Sequence, residues 1–137
     1  MISVLGTTGE YVLQPSLMEK HRKTLEWLSS TILWEREVIF FQKILDMHAS
    51  KFTSAEDKQK ISHFQNLITY YRGEVIHQLA SKLREHEHHL AEVLRTKNEL
   101  KTEYFKEHDS FMSELESFAK SFAEFKSHLF DFVEKAM

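Results

Sequence analysis

The chain has 137 residues, 42% of them apolar and 28% charged, with a formal net charge of −3, which is enough for one domain with a buried core. It contains no cysteine, so a disulfide framework, a thiol nucleophile and a zinc ribbon are excluded, and a reducing compartment fits. Three glycines and one proline leave little material for tight turns, which favours long helices, and no basic stripe exists to neutralise nucleic-acid phosphates.

Residues 1–14 hold two of the three glycines and show no helical period, so they are expected to form a flexible arm. They lack the basic start and apolar run of a signal peptide. The longest unbroken apolar run in the chain, Val38 to Phe41, is far short of a membrane span. A cytoplasmic protein without a membrane segment is the expectation.

The first helix is predicted over about 15–50. Pro15 suits a first helical turn, and Ser16 with Glu19 matches a capping box. Between Leu33 and Met47 this helix is apolar nearly all round. One stripe carries Leu33, Phe40, Ile44 and Met47, and another carries Trp27, Trp34, Phe41 and Leu45. A helix in a three-helix bundle needs only one apolar face. The surplus on Trp27, Trp34, Phe40, Phe41 and Ile44 therefore predicts an interface, with a second copy of the chain or with a partner helix. The alternative is that this helix is simply the most central one. Glu35, Gln42 and Asp46 form a polar line that reads as its solvated face.

A turn near 50–53 follows, where Thr53 and Glu56 offer a second capping box. The second helix is predicted over about 54–96. At ~100° per residue, Ile61, Phe64, Ile68, Tyr71, Val75, Leu79, Leu83, Leu90 and Val93 share one face. The phase survives Gly73, so the helix is expected to continue through it. Two E-x-x-H pairs, Glu74 with His77 and Glu85 with His88, have the spacing used in ferritin-like di-iron carboxylate bundles. Both fall opposite the apolar seam, where a bundle-core metal pair cannot form.

The third helix is predicted over about 100–136. Tyr104, Phe111, Phe118, Phe125 and Phe132 recur every seven residues, with His108, Leu115, Phe122, Leu129 and Ala136 between them. This is a coiled-coil-like seam. From Thr102 onward eight acids stand against four lysines. The turn before it is predicted near 96–102, with a second helix running on to His108 as the alternative. The fold expected is all-α: an antiparallel up-down-up bundle of three long helices forming one domain over 15–137.

The stretch from Arg84 to Val93, REHEHHLAEV, packs three histidines among acids. Only His86 falls in the seam; His88 lies opposite it and His89 flanks it. His108 takes a seam position of the third helix, and His21 lies on the apolar face of the first. Folding the chain about turns centred near 52 and 97 brings all three to about one level. Three histidines with an open fourth position would bind zinc or iron. The other readings are a partly wet layer bonded to carbonyls or to carboxylates such as Glu107, and a layer whose packing responds to pH. No glycine-rich phosphate loop or nucleophile elbow is present. The expected function is a non-enzymatic bundle that mediates self-association or protein–protein contact, with a metal-binding bundle (His21, His86, His108) as the alternative.

HFQNLITYYRGEV (His63 to Val75) followed by HEHHL resembles small all-helical bacterial proteins that are uncharacterised. The likeness covers mainly the second helix and the aromatic heptads after it. It implies an all-helical fold and assigns no activity to any residue.

Overall fold

Proline at a helix start costs nothing, because the first turn has no acceptor for its missing N–H. In the computed structural model, which describes residues 15–96 and 101–137, α1 runs from Pro15 to His48. The arm 1–14 lies outside the described residues. Ser16 stands inside α1 and is not its cap; Glu19 instead turns forward to bind Arg22. A single 3-10 turn, Ala49–Lys51, ends the rod. The next cap is Ser54, whose hydroxyl accepts from the Asp57 N–H at 3.0 Å, so the cap falls one residue beyond the Thr53 predicted to start a capping box with Glu56.

The second rod is α2, Ala55–Tyr70, and α3, Ile76–Arg95, joined without a break by a π turn at Tyr71–Val75. The helix does continue through Gly73, but with one extra residue in the turn. That insertion moves the buried face forward by one position. Ile76 is buried where a uniform helix would bury Val75, which sits at the flank. From Ile76 the seam resumes through Leu79, Leu83, His86, Leu90 and Val93. α3 ends at Thr96, whose hydroxyl donates to the Glu92 carbonyl. Because α4 begins at Lys101 and runs to Glu134, the extended second helix to His108 does not form. Positions 97–100 of the turn lie outside the described residues.

α1 and α4 run parallel, with the α2–α3 rod antiparallel to both. At one end Phe52 stacks on Phe132 at 4.2 Å, and Lys51 donates to the Ala136 carbonyl. At the other, the Lys20 ammonium lies over the Phe105 ring. The predicted three-helix, up-down-up bundle is therefore the fold. The heptads of α4 are buried except Phe118 and Ala136, which are half-buried. Phe122 sits at the centre, touching the rings of Trp34, Phe41, Tyr71, Phe118 and Phe125. Ion pairs bridge the helices at Lys82–Glu114 and Lys126–Glu37, each at 3.2 Å. No helix among the described residues is long and apolar enough to cross a membrane.

The apolar surplus of α1 divides in two. Trp34 and Phe41 are buried in the chain's own core, and Trp27 and Ile44 are partly buried against it. Of the five residues expected at an interface, only Phe40 is exposed, at 56%. The helix looked apolar all round because it packs against two neighbours, which widens its buried stripe. The apolar groups that do reach solvent are Met18, Leu25, Ile32, Leu33, Phe40 and Met47.

Candidate functional site

The core consists of two apolar clusters. The large one runs from the Phe52 end to Phe111; the small one holds Leu17, Leu90, Val93 and Tyr104. His21, His86 and His108 are buried where the two meet, at 5%, 1% and 5% exposure. They come from α1, α3 and α4. His86 stacks on Tyr104 at 4.4 Å and 7°, lies at 5.0 Å from the His108 ring, and meets Phe111 edge-on.

The histidines do not share one centre. The His86 Nε2 is 2.8 Å from His108 Nδ1, while His86 Nδ1 is 2.5 Å from Glu107 Oε1. A carboxylate only accepts, so a neutral His86 carries its proton on Nδ1, and its Nε2 accepts from the His108 Nδ1–H. His89 Nδ1–H donates to the same Glu107 oxygen at 2.7 Å. On the opposite flank of α3, His21 Nδ1 stands 2.7 Å from Glu87 Oε2. That contact is of ion-pair length but off the line of a hydrogen bond, so among the described residues both His21 nitrogens and Glu87 Oε1 have none.

The reason lies in the α3 helix wheel. Glu87 and His89 fall about 100° either way from the line through position 88, one on each side of His86. Glu87 meets α1 and His89 meets α4. His21 is drawn to the first flank, and Glu107 with His108 to the second. Among the described residues, the metal-ligating atoms that converge belong to His86, His89 and Glu107, within 4.8 Å of one another. Two members of the predicted trio touch, and the third belongs to a separate pair. Sequence reasoning left out His89, Glu87 and the Tyr104 hydroxyl. His89 was detectable, since it lies three residues from His86 on a neighbouring helix face.

Electrostatics follow burial. Desolvation, with the His86 and Lys20 charges next, lowers His108 to about 4 from an ordinary 6.5, so it is neutral at pH 7. Burial alone would raise Glu107, but the hydrogen bonds from His86 and His89 outweigh it and hold the carboxyl below its usual range. Burial pushes the Tyr104 phenol up, and among the described residues its hydroxyl has no hydrogen-bond partner. A cleft of about 220 Å³ opens beside this group, lined by His89, Glu92, Val93, Glu103, Tyr104 and Glu107. The E-x-x-H residues Glu74, His77, Glu85 and His88 are all exposed, which leaves no di-iron arrangement in the bundle core.

No protein-family model, curated protein or solved structure matches the chain. Of the likeness in the second helix, its coarse part stands: this is a small all-helical protein.

Proposed function

We propose that this bundle is a non-enzymatic assembly module whose partner is a second copy of the same chain, docked antiparallel along the outer face of α1. The observation that carries this is the exposed seam Met18, Arg22, Leu25, Ser29, Ile32, Leu33, Arg36, Phe40, Lys43 and Met47, spaced three or four residues apart except at the adjacent central pair. The seam is self-complementary about a point between Ile32 and Leu33. A twofold axis there sets Met18 on Met47, Leu25 on Phe40, Ile32 on Leu33 and Ser29 on Arg36.

It also sets Lys43 of one copy at the level of Arg22 of the other. Arg22 is already held by two carboxylates, Glu19 and Glu26. Lys43 and Arg36 have no ionic partner among the described residues. Because Glu26 also pairs with Lys23, the match that makes the interface isologous is one of shape. The six apolar side chains are each about half exposed. Burying them in both copies gains roughly 12 kcal/mol at ~2 kcal/mol per whole side chain. Association costs about 4–15 kcal/mol. At the lowest cost the surplus is about 8 kcal/mol, so a micromolar dimer is the tightest this seam supports.

Sedimentation equilibrium from micromolar to millimolar concentration tests the reading, and a strict monomer at the highest concentration refutes it. Because the chain has no cysteine, orientation can be read by crosslinking. The double variant Ser29→Cys/Arg36→Cys should oxidise to a dimer, whereas each single variant should not. Within one copy the two positions are about 10 Å apart along the helix, too far for an internal disulfide.

A further inference from the structure

We propose that His86, His89 and Glu107 form a site for one first-row divalent metal ion, zinc being the probe of choice, at the α3–α4 border of the cleft. Two imidazoles and a carboxylate are the donor set that such ions take, with a fourth position left to water. The set differs from the trio predicted in sequence: it keeps His86, replaces His108 and His21, and lies on one flank of α3.

The three donor atoms lie within 4.8 Å of one another. Glu107 Oε1 is 2.5 and 2.7 Å from the two nitrogens. Tetrahedral zinc with bonds near 2.0–2.1 Å wants its donors roughly 3.3 Å apart. The carboxylate must therefore withdraw by about 0.7 Å, and it is free to do so, since the Glu107 side chain is 39% exposed. His86 is fixed by stacking on Tyr104 and by Phe111, which supplies the rigid ligand.

Protons balance without any being released. When Nδ1 of His86 takes the metal, its proton moves to Nε2, which then donates to His108 Nδ1, and the His108 proton moves to its own Nε2. His108 becomes the outer-shell acceptor that orients a ligating histidine. His89 likewise shifts its proton to Nε2.

A second feature borders the same cleft. Tyr104 lines the cleft with His89 and Glu107, and among the described residues its buried hydroxyl has no hydrogen-bond partner. An unpaired buried hydroxyl costs about 1–3 kcal/mol. Glu103 and Glu92 line the cleft as well, adding negative field, although Glu92 is shared with Arg95.

The test is calorimetric titration of zinc into untagged, chelator-stripped protein, with cobalt absorption as a second readout of coordination. One ion per chain is expected. His89→Ala and Glu107→Gln alter partly exposed side chains and should leave the fold intact while weakening zinc at least about 100-fold, beyond the 10–100-fold typical of an outer-shell partner. His88→Ala, exposed on the same helix, should bind as the parent does. Nitrogen-15 NMR should show His86 changing from the Nδ1–H to the Nε2–H tautomer on zinc addition. Absence of one-to-one binding, parent-like binding by either ligand variant, or an unchanged His86 tautomer would each overturn the site. None of these residues lies on the α1 seam, so the outcome does not depend on dimerisation.

Discussion

Leu33→Glu is the sharpest perturbation of the proposed dimer, because Leu33 lies beside the twofold axis and each substitution enters the interface twice. Leu33 is 57% exposed in the single chain. Fully burying a leucine is worth about 1.5–3 kcal/mol, so closing the remaining half contributes roughly 1 kcal/mol per copy and 2 kcal/mol per dimer. Glutamate also sets a carboxylate against Ile32 of the other copy, where nothing solvates it, and that penalty adds at least another ~1 kcal/mol. The sum of about 3 kcal/mol weakens dimerisation more than 100-fold. The single chain should hardly notice, since a surface substitution of this kind shifts stability by about 0.5 kcal/mol or less. Sedimentation equilibrium gives the dimer constant, and denaturant unfolding gives the fold's stability. Tyr70→Glu is the matched control: Tyr70 is 52% exposed but lies on α2, away from the seam. A Leu33→Glu chain that dimerises like its parent refutes the antiparallel α1 seam. So does a Tyr70→Glu chain that loses the dimer.

Phe122→Ala removes the ring that five aromatic neighbours surround, and should cost about 3–5 kcal/mol in denaturant unfolding; a loss below 1 kcal/mol contradicts the packing described. Gly73→Ala should stabilise by up to about 1 kcal/mol, since a Cβ there meets nothing within 4 Å; a drop in melting temperature argues against the π turn. Ser54→Ala deletes the α2 cap and should cost about 1 kcal/mol, whereas Thr53→Ala should be near neutral. In metal-free protein the unfolded chain takes up a proton near 6.5 that folded His108 refuses until about 4. Stability is therefore full above pH 6.5 and falls as pH drops toward 4, by up to about 3 kcal/mol. Equal unfolding free energies at pH 7 and pH 5 would contradict it.

The fold was legible because three kinds of local signal agreed. Heptads fixed the α4 face, period fixed the α2–α3 face, and scarcity of glycine and proline limited the number of turns. What escaped was a one-residue effect. Thr53 and Ser54 are both good caps, and only the path of the chain out of the 3-10 turn selects Ser54. The π turn was hidden for a similar reason. Val75 and Ile76 are both apolar and β-branched, so either satisfies the pattern, and the helix chooses Ile76 by tolerating one extra residue at flexible Gly73.

The histidine layer shows where level and angle carry different information. Counting residues from each turn predicted correctly that His86 would face His108, because an antiparallel pair has one free parameter, the position of its turn. Convergence of three side chains needs angles as well, and a seam drawn as one stripe conceals that α3 packs against two helices. Its stripe has two shoulders: Glu87 meets α1, and His89 meets α4. A histidine on α1 therefore finds Glu87 before it can reach His86, while the residues of α4 find both His86 and His89. In any three-helix bundle the middle helix divides its neighbours this way, so a shared site should be sought along one shoulder of its seam rather than across it. On the α4 shoulder of this bundle, that rule selects His86, His89 and Glu107.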